Sequence, residues 1–103
     1  MNTLIEKNRI DIQLLCKAQQ VETLFLFGSA ASDDAFTPSS DIDFIFTYKK
    51  DKEGLPLSPF DYFDFLFSLE KLLGRKVDLV AKEKIKNRYF LENVNKQMVK
   101  LYG

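Results

Sequence analysis

The chain contains no histidine and no tryptophan, and only one cysteine, three prolines and four glycines. Without histidine there is no Ser-His-Asp or Cys-His nucleophilic site, no histidine general base and no histidine-ligated zinc. The single thiol, Cys16, cannot close an intrachain disulfide and suits a reducing compartment. Any bound metal must therefore be held mainly by oxygen, which favours Mg²⁺, Mn²⁺ or Ca²⁺. Charge of one sign is also lacking, because fifteen basic side chains balance fifteen acidic ones. That balance argues against a nucleic-acid coat or a polybasic membrane anchor. No apolar run approaches the roughly 18 residues of a membrane span. The opening Met-Asn-Thr-Leu-Ile-Glu-Lys also lacks the charged start and long apolar run of a secretory signal. The expectation is a cytoplasmic protein with neither membrane nor nucleic acid as partner, whose chemistry runs on carboxylates, hydroxyls, lysines or a metal.

What is present suffices for one domain. With 103 residues, 46% of them hydrophobic, residues 1–103 can bury one real core. Ile5, Ile12, Leu15 and Cys16 fall at helical spacing and predict a first helix over residues 3–20. Residues 22–27 read as a buried strand ending at Gly28, and residues 28–40 as a loop. Residues 41–48 alternate like a second strand. Residues 49–59 form a polar connection, the segment expected to move most, with room for a short fourth strand over residues 49–57. Ser58 as N-cap, Pro59 at the first helical position and Asp61 in the first turn predict a helix running to about Leu73 and stopping at Gly74. Residues 75–81 read as a third strand. Asn87 is a candidate N-cap for a last helix carrying a stripe of Leu91, Val94, Met98 and Leu101. The order helix, strand, loop, strand, helix, strand, helix predicts an α/β (α+β) layer of helices over a small sheet.

Asp41 and Asp43 lie at i and i+2 on the second strand, so their side chains share a face while Ile42, Phe44 and Phe46 point to the other. Two neighbouring carboxylates repel unless a cation sits between them. Asp78 interrupts an apolar strand, Lys-Val-Asp-Leu-Val, where a charge is unusual unless it serves something. Should that strand pair beside the second, Asp78 completes a three-carboxylate site able to hold two Mg²⁺ about 4 Å apart. Upstream, Gly28-Ser29 closes a strand at a turn whose backbone N–H groups and serine hydroxyl could meet a phosphate. Taken alone, a Gly-Ser turn is usually only a turn, and Asp-x-Asp on a strand is often a solvated face. Their combination is what points to a site.

Leu26-Phe27-Gly28-Ser29, a loop, then Ser40-Asp41-Ile42-Asp43-Phe44 resembles the signature of the DNA polymerase beta-type nucleotidyltransferases. The chain's size and the later Arg-Lys-Val-Asp-Leu-Val resemble its minimal members. The resemblance implies a polymerase beta-like fold with a small mixed sheet, and metal-dependent transfer of AMP from ATP. It implies that Gly28 and Ser29 contact the nucleoside triphosphate, that Asp41 and Asp43 bind both Mg²⁺ ions, and that Asp78 binds the catalytic ion and helps deprotonate the acceptor hydroxyl. It further implies an antitoxin of a toxin–antitoxin system, whose partner is a HEPN-domain toxin. One departure stands out. Where the family often has Arg-Gly, this chain has Ser32-Asp33, which removes a cation near the triphosphate.

Pro59 to Leu73 is unusually aromatic, with Phe60, Tyr62, Phe63, Phe65 and Phe67, and its polar stripe is narrow. Part of this helix must be core. The remainder suits a protein partner or a homo-oligomer contact. The leading expectation is a nucleotidyltransferase that modifies a partner protein; the alternative is a catalytically weak antitoxin or regulatory subunit that binds and masks its partner. A transferase acting on a small molecule is a weaker third reading, since little chain remains to build an acceptor pocket.

Overall fold

The computed structural model describes residues 3–28, 41–57, 61–85 and 98–103. Two helices, α1 (Thr3–Lys7) and α2 (Arg9–Ala18), replace the single one expected over residues 3–20. The break falls at Asn8, whose side-chain amide donates to the Leu4 carbonyl at 2.9 Å. A side chain that hydrogen-bonds its own backbone competes with the helical ladder, and the chain kinks there. Gln20, with φ 59°, then turns the chain into β1 (Val21–Phe27).

β2 (Ile42–Tyr48) runs antiparallel to β1, and helix α3 (Tyr62–Leu73) carries the chain across to β3 (Val77–Ala81), which pairs parallel to β2. A helical crossover is what a parallel pair requires. A 3₁₀ turn, Lys82–Lys84, follows, and β4 (Val99–Tyr102) adds antiparallel to β1. The mixed sheet has the order β3-β2-β1-β4. Helices α2 and α3 cover one face: Ile12, Cys16, Phe65 and Leu69 pack against Leu24, Leu26, Ile42, Phe44 and Phe46, all buried in one core. At about 1.5–3 kcal/mol for each large apolar side chain buried, this cluster is the main stabilising element.

Three sequence expectations change. Helix α3 begins at Tyr62, not Pro59: Asp61 is the N-cap and its carboxylate accepts from the Asp64 N–H. The proposed cap Ser58, with Pro59 and Phe60, lies outside the described residues. The expected last helix does not reach Leu101, because Val99–Tyr102 is the fourth strand and Leu101 is buried in the core. Asn87, Leu91 and Val94 lie outside the described residues. Four residues of Val-Lys-Leu-Tyr carry too little periodicity to separate helix from strand, and pairing with β1 decides. Residues 49–57 do not form the fourth strand. They make a tight turn with one bridge, Lys50 to Pro56, held by the Asp51 carboxylate accepting from the Glu53 and Leu55 N–H groups. Helix α3 ends at Gly74, as expected, in a left-handed conformation with φ 64°.

Two side chains of α3 reach across to β3. The Tyr62 hydroxyl donates to the Leu79 carbonyl at 2.5 Å, and Glu70 accepts from the Val77 N–H at 3.0 Å. No helix among the described residues is long and apolar enough to cross a membrane.

Candidate active site

The parallel ladder puts Asp43 of β2 opposite Asp78 of β3. Adjacent strands lie about 5 Å apart, so the two side chains emerge side by side on the same face. This is the juxtaposition that the sequence could only make conditional. Asp41 immediately precedes β2 and is exposed. Across the other ladder, Asp43 faces Phe27, and β1 ends at Gly28. Gly28 has φ +70°, and a Cβ placed on it would lie 2.5 Å from a carboxylate oxygen of Asp43. Both the conformation and the contact require glycine there. The end of β1 is thus pressed against the Asp43 carboxylate, as a strand–turn serving the same site should be. Ser29, the second residue of the turn, lies outside the described residues.

Electrostatics report how closely the aspartates are gathered. Asp43 is half-buried, and its pKa is pushed up from 3.8 to about 6. Burial contributes most, then the charge of Asp78, then that of Asp41. A carboxylate held under two others is the arrangement that a divalent cation relieves. The donor set, oxygen without nitrogen or sulfur, suits a hard ion such as Mg²⁺. Among the described residues, however, no three acidic side chains converge closely enough to form a closed metal cluster as they stand. Asp43 and Asp78 are the preformed pair, and exposed Asp41 is the third carboxylate within electrostatic reach.

One neighbour was not visible in the sequence. Tyr62, in the first turn of α3, has its hydroxyl pKa raised by burial and then by the Asp78 charge. Only the fold brings them near, so no local spacing could have announced it. The aromatic helix divides as its wheel suggests. Phe65 is buried, Tyr62 is half-buried, and Phe63 and Phe67 are 62% and 61% exposed, with their rings stacked 6.2 Å apart. Phe60 lies outside the described residues.

Comparison with known proteins bears on the family and the fold. The family model described as "Polymerase beta, Nucleotidyltransferase" matches residues 10–103. A curated relative from Methanocaldococcus jannaschii, named "Putative protein adenylyltransferase MJ1379", is 33% identical over 87 residues, covering 84% of this chain and 83% of its own. A solved structure described as a "putative minimal nucleotidyltransferase" superposes with a TM-score of 0.73 at 26% identity, over 96% of this chain and 95% of that one. A chain from the complex of tri-AMPylated Shewanella oneidensis HEPN toxin with MNT antitoxin superposes with a TM-score of 0.64 at 20% identity. That match covers 95% of this chain and 71% of the other, and it concerns the fold.

Proposed function

This chain belongs to the polymerase beta nucleotidyltransferase family, and from that premise we propose that it transfers AMP from ATP to a hydroxyl of a partner protein, with Mg²⁺, as the antitoxin of a HEPN-type toxin. The observation that carries the catalytic part is the single locus formed by Gly28, Asp43 and Asp78. The protein-acceptor part rests on the adenylyltransferase name of the relative and on the likeness to the antitoxin complex.

In this reading Asp41, Asp43 and Asp78 hold the metal. A Mg²⁺ ion held there would supply positive charge to the attacking and leaving oxygens. Gly28 lets the backbone approach the triphosphate without a Cβ in the way, and Ser29 adds its hydroxyl. Asp78 takes the proton of the acceptor hydroxyl. The acceptor oxygen then bonds to the α-phosphorus, the bond from that phosphorus to the bridging oxygen breaks, and pyrophosphate leaves. A second reading has the chain bind and mask its partner with little turnover. It is favoured by Ser32-Asp33, which removes the cation the family often carries and adds an acid beside that position, and by the exposed Phe63 and Phe67.

The test is a transfer assay with α-³²P-ATP and Mg²⁺, with and without the protein encoded beside this one, against the Asp41→Asn/Asp43→Asn double variant. Label on the partner that disappears with the variant supports AMP transfer. A stable complex without label supports masking. Label unaffected by the variant would sink the carboxylate assignment.

A further inference from the structure

A cavity of about 590 Å³ opens between the start of α3, the far ends of β2 and β3, and the 3₁₀ turn. Phe46, Tyr48, Tyr62 and Phe63 supply its rings, and Leu79 to Ala81 its aliphatic wall. Tyr62 is common to this cavity and the surroundings of Asp78, but most of the lining lies apart from the aspartates. Phe46 and Tyr48 alternate with Asp43 along β2, and Leu79 and Ala81 with Asp78 along β3, so these four lining residues lie on the sheet face opposite the carboxylates, while Val80 joins them from the edge strand.

The wall is preorganised for a flat ring. The Tyr62 hydroxyl is committed to the Leu79 carbonyl, and the Tyr48 hydroxyl donates to Glu83 at 3.1 Å. Both phenols are therefore fixed, and what they offer inward is ring surface. Glu83 also pairs with Lys50, which neutralises it. That leaves Lys84 as the one charged residue lining the cavity among the described residues. An occupant with one negative charge beside its ring complements that wall. From the mouth, apolar surface continues along α3 through Phe63, which lines the cavity, to exposed Phe67. A small molecule held in the cavity would leave that extension bare, whereas a protein segment would cover it.

We propose that this cavity is a docking site for an aromatic side chain of a second protein, flanked in that protein by a carboxylate. The inference rests on the reading that the chain works with a protein partner, but not on its being catalytic. The site would hold the partner on the sheet face opposite the carboxylates.

The probe is the tripeptide N-acetyl-Asp-Phe-Asp-amide, titrated into the full chain carrying ¹³C-methyl Leu, Val and Ala and followed by NMR. Controls are N-acetyl-Asp-Ala-Asp-amide, N-acetyl-Lys-Phe-Lys-amide and AMP. Saturable shifts are expected at Leu79, Val80 and Ala81, with the acidic aromatic peptide binding about fivefold tighter than the basic one, the size of an exposed ion pair. Lys84→Glu should reverse that order. Ala81→Phe, which places a ring in the cavity where the partner's ring would lie, should weaken or abolish the shifts while the remaining methyl spectrum confirms the fold. The proposal is overturned if the methyls stay still, if the alanine peptide moves them equally, if AMP displaces the bound peptide, or if dilution alone reproduces the shifts, which would make the occupant a second copy of this chain. Asp43→Asn separates the two readings. Peptide binding should survive it and AMP transfer should not; in the wild type, peptide binding without transfer means the catalytic reading has failed, and transfer without peptide binding means this one has.

Discussion

Replacing Asp43 by asparagine should make the metal-free protein more stable, and the amount follows from the site. Moving a carboxyl pKa from 3.8 to about 6 corresponds to about 3 kcal/mol favouring the protonated folded form. Asp43 is only half-buried, so water screens part of that, and about 1–2 kcal/mol is a fairer figure. The sign is fixed by linkage. A folded-state pKa raised above the unfolded value means the folded protein holds the extra proton between about pH 4 and pH 6. Stability is therefore lost as pH rises through that window. Asparagine cannot ionise and escapes the loss. The expectation is an advantage of about 1–2 kcal/mol for Asp43→Asn at about pH 8, vanishing near pH 4. In a domain of this size that is a gain of roughly 4–15 °C in Tm. Urea unfolding of both proteins in EDTA at the two pH values measures it. Adding Mg²⁺ should then stabilise the wild type and leave the variant little changed, because only a ligand that prefers the folded state raises stability. If wild type and variant unfold together at the higher pH, Asp43 is not crowded by Asp78 and Asp41, and the electrostatic argument for a cation falls with it.

Other perturbations probe the same frame. Asp78→Asn removes the second-largest cause of the Asp43 shift, so ¹³C NMR titration should find the Asp43 pKa below about 6 but still above 3.8, because burial remains. An unchanged value would mean the two carboxylates do not interact. Gly28→Ala forces a Cβ towards the Asp43 carboxylate at a residue with positive φ, and should lower thermal stability by about 1–2 kcal/mol and depress AMP transfer. Asp61→Ala deletes the cap that accepts the Asp64 N–H, and should cost about 0.5–2 kcal/mol in urea melts; a neutral result would return the helix start to an earlier residue. Leu69→Ala, at a fully buried core position, should cost about 2–5 kcal/mol in the same assay.

Much of this was legible in the residues, and what was not has physical causes. β1 and β2 carry their own signals: a buried run halted at Gly28, and an alternation that puts Asp41 and Asp43 on the face opposite Ile42 and Phe44. Gly74 marks the end of α3 because it adopts the left-handed conformation. The adjacency of Asp43 and Asp78 was readable only as a condition, since register between strands separated by a whole helix is a tertiary property. Asp61 and Ser58 are both good N-cap residues three positions apart, and local preference cannot choose between them. Leu101 fits a helical stripe as well as a strand, and β1 rather than its own neighbours decides for the strand. Asn8 sat within a helical pattern that its side-chain bond to Leu4 interrupts.

The bonds from α3 to β3 bear on how this protein behaves at high concentration. The Ile42 N–H bonds the Lys76 carbonyl, so along β3 the even-numbered residues address β2, and Val77 and Leu79 turn their backbone groups outward. Those are the groups that Glu70 and Tyr62 occupy. On the far side, the Gln13 amide donates to the Leu101 carbonyl of β4 at 3.0 Å. Side chains from the helices thus occupy backbone groups at both borders of the sheet, where an open strand would template another chain. In a chain with ten phenylalanines this is protection against fibrils and strand-swapped dimers. Opening a border, as Tyr62→Phe with Glu70→Ala would do, should show itself first as aggregation on standing rather than as a lowered melting temperature.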